Sequence, residues 1–134
     1  MTAFTVGLGC DRGVTLDTVR AALLAALAQA GARPEQVVGA ATIALKRDEA
    51  ALLALAAAYG WPLYFYEAHE LAQVAVPHPS ETVRRYTGTP SVSEAAALLA
   101  AGPAVTMDAL AVEKHKHRGE DGRNVTVSIA RIDT

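Results

Sequence analysis

The chain predicts an α/β layer fold on a mixed sheet, and three observations carry that expectation. Short apolar runs alternate with alanine-rich stretches of helical period as far as Gly60. Proline-containing loops then break the texture between Val76 and Pro90. The final third holds two apolar, partly alternating runs joined by a polar segment, most simply an antiparallel hairpin with a long loop. Strand-helix-strand-helix order makes the opening strands parallel, so the hairpin makes the sheet mixed.

Phe4 to Leu8 reads as a short buried strand ending in glycine. Thr15 and Asp17 supply a cap and a first-turn acid, and Leu16, Val19, Leu23, Leu27 and Ala30 follow at helical spacing until Gly31. After the Arg33-Pro34-Glu35 turn, residues 37–43 form a second buried strand in which Gly39 suggests a close backbone approach. Lys46-Arg47-Asp48-Glu49 leads into a second helix carrying Leu52, Leu55, Ala56 and Tyr59, which Gly60 terminates. Leu63 to Tyr66 is an aromatic-rich third strand, and Glu67 to Ala72 fits a short helix. Ser80 caps another short helix with Val83 and Tyr86. Ser91-Val92-Ser93-Glu94 has the pattern of a capping box before a helix at Ala95 to Ala101, stopped by Gly102-Pro103. Val105 to Val112 and Val125 to Ile132 complete about five strands.

A length of 134 residues, 51% of them hydrophobic, suits one domain spanning 1–134. The net charge of -2 gives no basic field, so nucleic acid is not expected and any anion must be met by a local patch. A lone cysteine excludes an intrachain disulfide. With no leader pattern and no long apolar run, a cytoplasmic protein without membrane attachment is expected.

Val6-Gly7-Leu8-Gly9-Cys10-Asp11-Arg12-Gly13 joins the first strand to the first helix. Its glycines allow a sharp turn with amides free for an anion, making Gly9, Cys10, Arg12 and Gly13 candidate ligand-binding residues. A plain strand-to-helix turn is the alternative, and neither the dinucleotide nor the P-loop glycine signature is met. Cys10, beside Arg12 and a helix start, could be a stabilised thiolate or a small packing residue. Lys46 and Glu49 stand at the C-terminal end of the second strand, where open α/β sheets place ligands. The segment Lys114 to Arg123 sets four cations against two carboxylates, a local charge of +2. It is either a solvated loop that discourages edge pairing or a mobile basic arm, with Lys114 and Lys116, for a carboxylate or phosphate ligand. His115 and His117 would share a side if the strand reached them, but without a third ligand no metal site is expected. His78 and Ser80 could be a base and a hydroxyl, yet no acid is visibly placed to orient His78. No catalytic residue is assigned, and Ser91 and Glu94 already have a structural explanation.

Taken in order, these segments resemble the CobE family, which is also the C-terminal domain of CbiG, in cobalamin (vitamin B12) biosynthesis. The matching residues are Gly7-Leu8-Gly9-Cys10 with Arg12-Gly13, Ala44-Leu45-Lys46 with Asp48-Glu49, Pro79-Ser80 with Val83 and Gly88, Ser91 to Ala97, Lys114, and Thr126 to Arg131. Asp11 stands where the family is usually basic, and His78 where an Asn is common. The resemblance implies a three-layer α/β/α sandwich and work on corrin-ring intermediates edged with acetate and propionate carboxylates. It adds Ser80 and Ser91 to the candidate ligand-binding set. It implies no cofactor. CbiG-like proteins open a precorrin δ-lactone and release acetaldehyde, but they carry further N-terminal domains. This chain is therefore expected to resemble the stand-alone CobE of the aerobic route, an auxiliary or carrier protein that holds a corrin or precorrin intermediate for other pathway enzymes. The alternative is a hydrolase, with water activated by His78 or Glu49 and the oxyanion held by amides of the glycine turn.

Overall fold

The computed structural model describes residues 2–133. Its strands are β1 (Thr2–Cys10), β2 (Val37–Ile43), β3 (Leu63–Tyr66), β4 (Leu110–Arg118) and β5 (Asn124–Asp133). The helices are α1 (Leu16–Ala30), α2 (Ala50–Tyr59), α3 (Ala68–Ala72), α4 (Glu81–Thr87) and α5 (Ser93–Ala101). The sheet runs β3-β2-β1-β5-β4, with β1, β2 and β3 parallel and β5 antiparallel to both β1 and β4. This is the expected mixed five-stranded sheet with a C-terminal antiparallel pair.

Alternation along β1 sorts the two faces of the sheet. Phe4, Val6 and Leu8 join one core with Val19, Leu23 and Leu27 of α1 and Leu52 and Leu55 of α2. Each of these larger side chains contributes about 2 kcal/mol by leaving water. Thr5, Gly7 and Gly9 face α5 instead: Thr5 Oγ1 donates to the Ala97 carbonyl at 2.7 Å, and a Cβ on Gly7 would stand 1.9 Å from the Ser93 carbonyl oxygen. Only hydrogen fits there, so α5 lies directly against the backbone of β1. Three layers follow, α1 and α2 on one side and α5 on the other.

The caps form where the chain chemistry places them. Thr15 Oγ1 accepts from the Thr18 amide at 3.2 Å, Ser80 Oγ accepts from the Val83 amide at 3.2 Å, and Gly31 and Gly60 close α1 and α2 at positive φ.

Four local expectations are corrected. The apolar run from Val105 does not enter the sheet at once; a single 3-10 turn over Met107–Ala109 precedes β4. The expected basic loop is largely strand, because Lys114 lies within β4, His115 to Arg118 pair with β5, and only residues 119–123 turn. Ser91 to Glu94 is not a capping box: the cap residue is Val92 in a helical conformation without a side-chain bond, and Ser91 Oγ donates to Glu94 Oε1 at 3.2 Å inside the protein. At Gly39 it is the Tyr64 ring that approaches, 2.9 Å from where a Cβ would stand, and the backbone approach occurs at Gly7.

No helix among the described residues is long and apolar enough to cross a membrane.

Candidate functional site

A cleft of about 890 Å³ opens at the C-terminal ends of β1 and β2. One wall is the end of β1 with its turn, Gly9 to Arg12, and the segment after β2 with Leu45 and Lys46. The opposite wall is Lys114 and Lys116 of β4 with the start of β5. Val92 and Ser93 at the head of α5 lie beneath, and the loop His78-Pro79-Ser80 with α4 forms the roof. Helix α4 buries none of its residues, and Tyr86 stands 80% exposed at the mouth.

The glycine turn is not an open anion cradle. The Gly13 amide donates to Glu49 Oε1 at 3.3 Å, the Thr15 amide to Asp121 Oδ2 at 3.0 Å, and the Asp11 amide to the Asn124 carbonyl at 2.9 Å. Asp11 in turn accepts from the Asn124 amide at 2.8 Å and its side-chain nitrogen at 3.0 Å. The protein's own oxygens thus occupy donors that the spacing had left free for a ligand. These bonds hold the Asp121 carboxyl at a pKa of about 2, through the Thr15 and then the Arg123 amides.

Arg12 is similarly engaged. Its guanidinium donates to Asp48 Oδ1 at 2.7 Å and to the Leu45 carbonyl, and it lies 3.8 Å from Glu49 Oε1. The hydrogen bond with Asp48 raises the Arg12 pKa and lowers that of Asp48. Cys10 lines the cleft, but burial pushes its thiol to about 11, with Lys46 pulling the other way. The expectation of a stabilised thiolate is therefore corrected: Cys10 is a neutral thiol at physiological pH.

The opposite wall is less self-satisfied. The chain has three lysines, Lys46, Lys114 and Lys116, and all three line the cleft. Among the described residues none of them forms an ion pair. Burial lowers the Lys114 pKa, Glu94 acts in opposition, and Lys116 lowers it further. Glu94 is fully buried below this wall, and its Oε2 has no hydrogen-bond partner. Burial raises its pKa against the pull of Lys114 and the Ser91 hydroxyl.

His78 has an orienting acid that sequence reading missed. Its Nε2 lies 2.9 Å from Oε1 of Glu113, a β4 residue 35 positions away, and Lys114 Nζ donates to the His78 carbonyl at 3.5 Å. Nothing local signals that contact, because it exists only when the proline loop folds over β4.

Of the expected ligand-binding residues, Gly9, Cys10, Arg12, Lys46, Ser80, Lys114 and Lys116 line the cleft. Gly13, Glu49 and Ser91 do not; they stand behind it in the hydrogen bonds just described. Ser93, Thr126 and Asn124 also line it, although none of them was among the expected ligand-binding residues. His115 and His117 do lie two apart on β4, with His115 Nδ1 2.8 Å from Gln29 Nε2 on α1. Among the described residues no group of three or more His, Cys, Asp or Glu is arranged to hold a metal ion.

Residues 4–130 match a protein-family model described as Cobalamin synthesis G C-terminus. A cobalt-precorrin-5A hydrolase of Priestia megaterium is 37% identical over 127 residues, which is 95% of this chain and 32% of that protein. Protein CobE of a Sinorhizobium species is 39% identical over 99 residues, 72% of this chain and 64% of the relative. The chain therefore spans about a third and just under two thirds of these curated relatives. The crystal structure of CobE, a protein from the cobalamin biosynthetic pathway, superposes with a TM-score of 0.78 at 30% identity, covering 99% of this chain and 96% of that one.

Proposed function

Because this chain belongs to the cobalamin synthesis G C-terminus family, we propose that its cleft holds a corrin-ring intermediate of cobalamin biosynthesis by the carboxylates on the ring's edge. The single observation that carries this reading is the placement of every lysine of the chain around one cleft, none of them ion-paired among the described residues. Lysines confined to one depression give a mildly acidic protein a local attraction for a polyanion. Ile43, Leu45, Val92 and Val125 give the same cleft an apolar lining for the macrocycle, and the volume lies at the upper end of small-molecule sites.

The ligand-binding set is Lys46, Lys114 and Lys116, with Gly9, Cys10, Arg12 and Ser80 shaping the walls. Gly13, Glu49 and Ser91 support it from behind. In this role the domain is an auxiliary or carrier, and it needs no aligned nucleophile. Titration with a corrinoid heptacarboxylate, followed by visible absorbance, tests it. Absorbance is the appropriate signal because Trp61 stacks on Tyr59 and does not line the cleft. Binding should weaken steeply with added salt, and Lys46→Ala and Lys114→Ala should each cost about tenfold, or about 1.4 kcal/mol. No binding at low salt would remove the reading.

A second reading, hydrolysis of a precorrin lactone, is favoured by the contact between His78 and Glu113. A carboxylate on Nε2 fixes the imidazole tautomer and leaves Nδ1 as the base for a water. The occupied amides of the glycine turn count against the oxyanion site that this mechanism was expected to use, and Lys114, 3.5 Å from the His78 carbonyl, is a cation beside the pair. Incubation with a lactone-bearing precorrin and an acetaldehyde assay decides it; no release above buffer rejects hydrolysis.

A further inference from the structure

We propose that Lys114 is a carbonyl-capturing amine, poised to form an imine with an aldehyde or ketone that carries carboxylates. This goes beyond binding, because it assigns covalent chemistry to one of the three lysines.

Four observations single out Lys114. It sits half-buried on the cleft wall, whereas Lys116 is exposed. Its only hydrogen bond among the described residues is a long one, 3.5 Å to the His78 carbonyl, so the nitrogen is not locked into an ion pair. Lys116 follows two residues later on the same strand and also lines the cleft, placing a second cation beside it. The residue whose carbonyl it meets is the one paired with Glu113. Desolvation and a neighbouring cation both favour the neutral, nucleophilic amine. Burial holds the Lys114 pKa below that of a free lysine, with Glu94 in opposition and Lys116 assisting.

The chemistry balances without an oxidant or reductant. The Nζ lone pair attacks the carbonyl carbon and forms a C–N bond, while the carbonyl π electrons move to oxygen, which takes up a proton. Protonation of that oxygen and its loss as water from the carbinolamine give the iminium, which then releases its N–H proton, so amine plus carbonyl yields imine plus water. The His78 and Glu113 pair carries protons to the departing hydroxyl and back from water on the return. Lys46 and Lys116 receive the carboxylates of the same molecule.

The experiment treats the full chain with glyoxylate, a small aldehyde bearing a carboxylate, and cyanoborohydride near neutral pH, then maps adducts by peptide mass spectrometry. The other two lysines are internal controls in the same cleft. The expected result is a dominant adduct on Lys114, lost in Lys114→Arg and retained in Lys46→Arg and Lys116→Arg. Glu113→Gln should slow its formation. Equal labelling of all three lysines, or labelling that follows exposure and favours Lys116, overturns the proposal; circular dichroism of each variant shows that it is folded. Corrinoid titration of Lys114→Arg separates this from the binding reading, since the charge is kept while the nucleophile is lost. Trapping at Lys114 without corrinoid binding by the parent would sink the binding reading and leave this one standing.

Discussion

The two walls of the cleft are built from similar materials and use them differently. On the β1 side, Gly7 to Gly13 and Arg12 offer amides and a cation, and nearly all of that capacity is turned inward, onto Glu49, Asp48, Asp121 and Asn124. On the β4 side, Lys114 and Lys116 face the same space with no carboxylate bound to them among the described residues. A polar group already satisfied within the fold gains little from a ligand, whereas an unsatisfied one gains a full charge-assisted bond. The glycine turn is therefore architecture, and the lysines, Lys46 beside the turn as well as Lys114 and Lys116 opposite, are where the proposed polyanion would be gripped.

This contrast can be broken at several points. The largest effect is expected for Gly7→Ala, whose methyl would meet the Ser93 carbonyl and the Ala97 amide. It should cost about 3 kcal/mol in urea unfolding, since helix and strand backbones must separate. Next comes Cys10. With its pKa raised from 9.0 to about 11, the thiolate population below pH 9 should be about 100-fold smaller than for a free thiol, and disulfide reagents should label it correspondingly slowly. Because the folded value lies above the unfolded one, the associated stability is present below pH 9 and is lost as pH rises through 11.

Glu49→Ala removes the buried acceptor of the Gly13 amide and should lower stability by about 2 kcal/mol while leaving corrinoid affinity unchanged. Lys116→Ala should do the reverse, lowering affinity by about tenfold with a change in stability within about 0.5 kcal/mol. Loss of corrinoid affinity in Glu49→Ala would erase the distinction between the walls. The smallest effect is expected for Asp121. Its depressed pKa gives stability that is present above about pH 4 and is lost as pH falls through 2, so Asp121→Asn should flatten the acid limb of the stability curve without altering ligand binding.

What the sequence made legible was local. Thr15, Ser80, Gly31 and Gly60 announce helix ends because cap chemistry acts within three or four residues, and the helical spacing of Leu16, Val19, Leu23 and Leu27 identifies the buried side of α1. The β4 strand was hidden by its own alternation: Lys114 and Lys116 point into the cleft while His115 points to α1, so a segment that reads as uniformly polar has two faces. Ser91 and Glu94 have the right spacing for a capping box, but the cap position falls on Val92, α5 starts at Ser93, and the pair is buried instead. The occupied amides of the turn and the partner of His78 depend on residues separated by 35 to 106 positions, which only the assembled sheet brings together. The three lysines were visible from the start as candidates; that they share one cavity was not.

The contact between β1 and α5 also bears on how this cleft can be changed. With Gly7 pressed against the peptide groups of α5, the first turn of that helix cannot drift, and Val92 and Ser93 are set as a fixed floor to the cleft. Roof helix α4, by contrast, has no fully buried residue and leans on the core only through the partly buried Val83. Anyone retooling the protein for a differently shaped macrocycle would leave the floor alone and diversify the roof and the outer strand, where the scaffold has slack.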